Sequence, residues 1–199
     1  MMNVIYSIFF LAFTLSATAE TEVNDLPPEF PVINGCEIKP STVCEKANLR
    51  GADLRHARLK NANLAGADMR KADLARADIR HANLRGADLR GANLESVQAW
   101  AAFFQGAKLD GASLQGANLN FSRFSGAKLV GANLRSANLE SAWFSKADLG
   151  EANLINANLQ EAKFYETNFV NATMDGARLH YAIFQGAYME GCEACPHDW

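Results

Sequence analysis

Ala47-Asn48-Leu49-Arg50-Gly51, Ala52-Asp53-Leu54-Arg55-His56, Ala57-Arg58-Leu59-Lys60-Asn61 and Ala62-Asn63-Leu64-Ala65-Gly66 follow one another without an insertion, and they decide how the chain folds. Stepping by five from Leu49 to Met189 gives 29 centres, each Leu, Ile, Met, Phe or, once, Ala99. Two residues before the centre stands Ala in 26 of the 29; Val97, Ser122 and Thr167 are the exceptions. Five helical steps of about 100° carry each centre some 140° round the axis, so no helix face collects them. A flat strand fails as well, because its side chains alternate with period two and five is odd. A short extended piece with a bend after every centre satisfies the pattern, and Gly, Asn, Asp and Ser suit the bend.

A longer period fixes how many bends close one coil. Phe104, Phe124, Phe144, Phe164 and Phe184 are centres twenty apart, and Phe169 is the one other Phe centre. Four repeats per coil stack those five rings as a core column. With coils about 4.8 Å apart, the rod is roughly 35 Å long. Val97 and Ala99 exchange the small and large inward positions, a swap of volume that a packed interior tolerates.

The unbroken A-D-L-x-x and A-N-L-x-x series over about 145 of the 199 residues resembles the pentapeptide repeat family. The resemblance implies an all-β solenoid, a right-handed quadrilateral β-helix, which agrees with the four-sided count; 29 centres then make about seven coils, four pentapeptides per coil. It also brings in family members that imitate duplex DNA and bind DNA gyrase. Those imply an acidic surface, a cytoplasmic location and a C-terminal dimerisation helix, and this chain departs from all three.

Ahead of the repeats, Val4 to Leu15 is apolar and leads into Ser16-Ala17-Thr18-Ala19, the shape of a signal peptide with cleavage before Glu20. The stretch is shorter than the roughly 20 residues a membrane span needs. No Lys or Arg precedes it, and Cys36 is too distant to accept a lipid. The expected organisation is a signal peptide at 1–19, a Pro-containing leader and cap at 20–44, the β-helix at 45–190 and a Cys-containing cap at 191–199. The expected destination is the periplasm, or secretion or another oxidising lumen, with no transmembrane anchor after signal cleavage.

Export favours disulfides. Bridged Cα atoms lie within about 7 Å, so Cys36 with Cys44 and Cys192 with Cys195 pair locally rather than across the rod. Two other readings of Cys192-Glu193-Ala194-Cys195 are weaker. A redox pair wants a helix N-terminus, and zinc wants four ligands where two thiols and His197 give three.

Charge is uneven: residues 46–94 hold eleven Lys/Arg against five Asp/Glu, and 95–199 hold seven against eleven. Arg50, Arg70 and Arg90 form a column at the basic end. Asp53, Asp68, Asp73, Asp78 and Asp88 are interleaved there, which favours ion pairing or an anionic surface polymer over nucleic acid.

Outside the Phe column, the residues just before each centre are Phe103, Arg123, Trp143, Lys163 and Ile183, aromatic alternating with cationic. Trp100, Phe121 and Tyr181 stand at the adjoining bend and Tyr165 just past the Phe column. Together these are the candidate partner face. The competing reading is a ladder of cation–π contacts that only covers the coils. His56, His81, His180 and His197 share no column, and Ser113 and Ser122 have no base beside them, so no catalytic constellation, metal site or cofactor site emerges. An ice-binding side would want Thr columns, and the array has only Thr167 and Thr173. The sequence thus reads as a non-enzymatic exported scaffold or interaction module for an unknown protein or cell-envelope partner. The alternatives are a gyrase-binding DNA mimic and a thiol-redox protein.

Overall fold

In a computed structural model of the protein, residues 30–196 are described, so the expected signal peptide, the leader up to residue 29 and residues 197–199 lie outside the described residues. The rest is an all-β solenoid whose pairing period is twenty residues. Parallel bridges run from Val43↔Asn63 to Thr173↔Glu193 at every fifth residue, and each joins positions twenty apart, or four pentapeptides. Each extended piece pairs through one residue before the chain bends, which is why continuous strands are so short here.

Four of the five backbone N–H groups of a repeat follow one scheme in the stacked coils. In the first repeat Leu49 N donates to Asp68 O (2.7 Å) and Gly51 N to Arg70 O (2.9 Å), both one coil ahead. Asp68 N returns a bond to Ala47 O (2.9 Å), and Ala52 N closes the bend on Leu49 O (3.1 Å). The remaining N–H belongs to the residue after the centre. Except at Asn118, it is taken by the side chain before the centre when that residue is Asn or Asp, as in Arg50 N to Asn48 Oδ1 (3.3 Å) and Ala75 N to Asp73 Oδ1 (3.0 Å). The A-N-L and A-D-L spelling is therefore an Asx bond that completes the repeat.

The bend needs a positive φ two residues after the centre, as a turn of this kind does. All 29 such positions have it; twelve are Gly and the others include Phe121 (φ 58°) and Tyr181 (φ 59°). L-residues carry a conformational cost there of roughly 1–2 kcal/mol. The inter-coil ladder fixes the same backbone regardless of side chain.

Centres and preceding small residues fill the axis, most of them fully buried from Leu59 to Met174. The Phe column is continuous: Phe104–Phe124, Phe124–Phe144, Phe144–Phe164 and Phe164–Phe184 stack at 4.7, 4.6, 5.2 and 5.0 Å, and Phe169 meets Phe164 edge-on at 5.1 Å. Val97 and Ala99 are both buried, as their exchange requires. Buried Ser122 donates to Leu119 O (2.6 Å), and buried Thr167 donates to Phe144 O (2.7 Å), so neither hydroxyl is left without a partner.

At the N-terminal end, β1 (Val32–Ile33) and β2 (Cys36–Glu37) form an antiparallel hairpin through Asn34-Gly35, both with positive φ. Asn34 Nδ2 donates to Asn48 O (2.7 Å) and ties the hairpin to the first coil. Repeat geometry begins before Leu49, since Thr42 and Cys44 are buried at the small and centre positions of a preceding unit.

Candidate functional site

The candidate face is built on two neighbouring columns. Bridges align Asn83, Phe103, Arg123, Trp143, Lys163 and Ile183 on successive coils. Asn83 uses its Oδ1 to accept from Arg85 N. Phe, Arg, Trp and Lys have no acceptor to offer, so from residue 103 to 163 four successive coils give up the Asx bond. Rings and cations occupy the vacated role: Arg123 lies 5.7 Å from the Phe103 ring and Lys163 Nζ 4.1 Å from the Trp143 ring. Arg85 also reaches the Phe103 ring, at 4.6 Å, a contact that column spacing did not single out.

The bend next to this column carries Trp100, Phe121 and Tyr181. Trp100 meets Phe121 edge-on at 6.0 Å, and His81 meets Trp100 edge-on at 4.6 Å. Two histidines left without a role by sequence thus belong to aromatic clusters, since His180 lies 3.7 Å from Tyr181. The signal was there: His81 precedes Ala101 by twenty and so sits one coil below Trp100. Trp100, Phe121 and Trp143 are 39%, 50% and 44% exposed. Tyr165 is half-buried beyond the Phe column and joins neither cluster through a ring contact among the described residues.

Both cysteine pairs are brought together. Cys36 and Cys44 have their sulfurs in contact with Cα atoms 5.5 Å apart, and Cys192 and Cys195 likewise at 5.7 Å. Cys36, Cys44 and Cys195 are buried and Cys192 partly so. No group of three or more His, Cys, Asp or Glu side chains that could hold a metal ion occurs among the described residues. Nor is any helix among them long and apolar enough to cross a membrane.

At the basic end, an Asp-x-Arg unit recurs. Asp53, Asp68, Asp78 and Asp88 each bind the Arg two residues on through two oxygens, as Arg55 Nε to Asp53 Oδ1 (2.8 Å) and its terminal nitrogen to Oδ2 (2.6 Å). Arg55 also lies 3.8 Å from Asp73, and Arg70 lies 3.7 Å from Asp88, one coil away. Hydrogen bonds from Arg55 and Arg70 hold the Asp53 and Asp68 carboxyls down at about 2. Those of Asp78 and Asp88 are lowered for the same reason by Arg80 and Arg90. Of the Arg50, Arg70 and Arg90 column, Arg70 and Arg90 are thus committed to carboxylates.

Eight copies of the pentapeptide repeats family match this chain, over residues 42–74, 57–96, 72–111, 101–135, 132–169 and 157–193. The chain belongs to the pentapeptide repeat family. The chain is also similar to solved structures, the first of which shares its fold. A trypsin-treated form of QnrB1, a plasmid-mediated fluoroquinolone resistance protein, is 19% identical with a TM-score of 0.57, over 75% of this chain and 81% of that one. A pentapeptide repeat protein from the Arabidopsis thaliana thylakoid lumen is 28% identical with a TM-score of 0.43. It is matched over 46% of this chain, which spans 65% of its length. HetL from the cyanobacterium Nostoc sp. strain PCC 7120 is 27% identical with a TM-score of 0.34, over 78% of this chain and 88% of that one. No curated protein matches the chain. This pentapeptide repeat protein is therefore assigned its fold by family, and its role has to be argued from its own surface.

Proposed function

We propose that the protein is a non-enzymatic exported scaffold or interaction module. In this reading it is a right-handed quadrilateral β-helix of about seven coils, four pentapeptides per coil. A signal peptide at 1–19 delivers it, 20–44 form the leader and cap, 45–190 the β-helix and 191–199 the second cap. Carrying the reading is the column from Phe103 to Lys163, where four coils forgo a backbone-completing Asx bond in favour of rings and cations. The cation–π contacts return part of what that bond gives, and the exposed rings of Trp100, Phe121 and Trp143 beside them support a partner. Trp100, Phe121, Tyr165 and Tyr181 extend the same face.

Disulfides at Cys36–Cys44 and Cys192–Cys195 belong to this reading, and they fit the periplasm, secretion or another oxidising lumen. Cross-linked capture from the exported fraction tests it. A Trp100→Ser/Trp143→Ser variant is expected to lose the captured partner while keeping its fold, and undiminished capture would overturn the assigned face. The gyrase-binding alternative has the wrong surface at one end, where Lys46, Arg58, Lys60, Lys71 and Arg76 are exposed cations. The thiol-redox alternative predicts insulin reduction that is lost in Cys192→Ser.

A further inference from the structure

The N-terminal hairpin covers the first coil unevenly. Every inward Ala from Ala62 to Ala172 is buried, whereas Ala47, Ala52 and Ala57 are only partly so. A cavity of about 260 Å³ lies on this side, walled by Phe30, Pro31 and Ile38 and, from the coil, by Leu54, Ala57 and Arg58. Phe30 and Pro31 are where the described chain starts, so the segment ending at Glu29 enters at the cavity.

Unmatched positive charge stands beside the same cavity. Arg58 is bridged to Asp78 of the next coil. Both oxygens of that carboxylate are taken by Arg80, at 2.8 and 2.7 Å. Lys60 follows Arg58 by two residues and Arg76 precedes Asp78 by two, so three cations share one carboxylate that is already spent. All three are exposed, and none forms an ion pair among the described residues.

The opposite charge is carried by the chain's own leader. Residues 20–29 hold Glu20, Glu22, Asp25 and Glu29 and no Lys or Arg. Tethering gives these carboxylates a high effective concentration at the basic end, and a foreign polyanion would have to displace them. Leu26, Pro27 and Pro28 put apolar groups next to Glu29. Two prolines also bring no N–H to be left unbonded against a closed surface. Ten extended residues span at most about 35 Å, while Arg58, Lys60 and Arg76 lie within two coils of the cavity, roughly 10 Å. Reach is therefore ample.

We infer that residues 20–29 dock back on the N-terminal end of the rod. Leu26, Pro27 and Pro28 close the cavity over Leu54 and Ala57, and the carboxylates of Glu20, Glu22 and Asp25 meet Arg58, Lys60 and Arg76. Docking there rests on the reading of 20–44 as leader and cap, and it gives the leader its seat and the cavity its occupant. It also neutralises the basic end from within the chain.

Carbodiimide coupling of the full chain tests the seat. The reagent activates a leader carboxylate, the Lys60 Nζ displaces it as a urea, and the water lost in forming the amide ends in that urea. Peptide mass spectrometry of the monomer is expected to find the amide between Lys60 and Glu20, Glu22 or Asp25, at least fivefold above leader coupling to Lys108, Lys128, Lys146 and Lys163. Leu26→Ser, a change outside the coils, should cut the Lys60 amide at least threefold, and Arg58→Gln/Arg76→Gln should do the same. An absent Lys60 amide, an even spread over the lysines, or an undiminished amide in Leu26→Ser would overturn docking. Exchange of the Leu54 amide, bonded to Asp73 O at 2.7 Å, separates this from the cap itself. If that amide stays protected while Lys60 fails to couple, the cap stands and the seat is wrong; if it exchanges freely as well, both fall.

Discussion

The coils before residue 95 and those after it share one backbone and differ in nearly everything attached to it. All four Asp-x-Arg units fall between Asp53 and Arg90, while the Phe stack and the exposed ring-and-cation column begin past residue 100. In the column that Phe104 opens, the earlier coils have Leu64 and Leu84. The ends differ too: the first coil lies under a hairpin with a cysteine pair, whereas Leu179 and Met189 near the other end are only partly buried. A ladder that satisfies its own backbone leaves the side chains free to specialise. One half uses that freedom for lateral ion pairs, the other for a stacked aromatic interior beneath a column of rings and cations.

The largest way to probe the contrast is Phe124→Ala. Truncating a buried Phe costs about 3–5 kcal/mol, and here two stacking contacts at 4.7 and 4.6 Å go as well. Leu84→Ala, in the same column of the earlier half, should cost less, in the range of about 2–5 kcal/mol for such truncations. Urea unfolding of the pair settles the order, and a smaller loss for Phe124→Ala would mean the stack adds nothing beyond area. Next comes the N-terminal cap. Cys36→Ser is expected to cost about 2–4 kcal/mol, seen as faster amide exchange in the coils nearest the hairpin. Cys192→Ser encloses only a short loop and should leave those amides unchanged, as local stability in stacked repeats is set by neighbours.

These expectations depend on features that were not equally readable. The five-residue phase, the inward pair and the Phe column could be read because burial imposes them on residue type at fixed spacing. The cation–π partners Arg123 and Lys163 followed from the same twenty-residue spacing. The Asn34-Gly35 hairpin had a local signal in its dipeptide, masked by the prolines around it. The Asp-x-Arg units also had one, but interleaved charge reads as bland until the bend shows that residues two apart flank one turn. Reading the Asn and Asp of each repeat as turn formers missed the hydrogen bond they complete. Without that bond, the substitution of Phe103, Arg123, Trp143 and Lys163 for Asx looks like ordinary surface variation.

Between the two halves lies the exchange of Val97 and Ala99, where the contrast can be sharpened at the junction itself. Val97→Ala removes two buried methyl groups, about 1.5–2 kcal/mol at roughly 0.8 per group. Ala99→Leu alone overfills a closed interior, at about 1–3 kcal/mol. Combined, the two restore the common Ala–Leu pair, so the double variant should be more stable than the sum of the singles by about 0.5–3 kcal/mol. Additive losses would show that the interior at this coil does not trade volume between neighbouring positions.

The smallest effect is expected from acid, and it should fall on one half only. Arg55 and Arg70 hold the Asp53 and Asp68 carboxyls at about 2, below the ordinary carboxylate value of about 3.9. A lowered folded-state pKa means that the unfolded chain binds protons first. Its stabilisation is therefore complete above about pH 4 and lost as pH falls toward 2. Because these groups are exposed, solvent screens them and the loss is modest. Amide exchange, corrected for its intrinsic pH dependence, should show coils 46–94 loosening relative to 95–189 between pH 4 and pH 2, and Arg55→Gln/Arg70→Gln should loosen them already at pH 5. Salt should mimic the variant in part. The later coils have Lys146–Glu166 at 3.7 Å as their one comparable pair among the described residues. If they loosen as much as the earlier coils, the Asp-x-Arg units are bystanders to a general protonation of the surface, and the division of labour between the halves reduces to their cores.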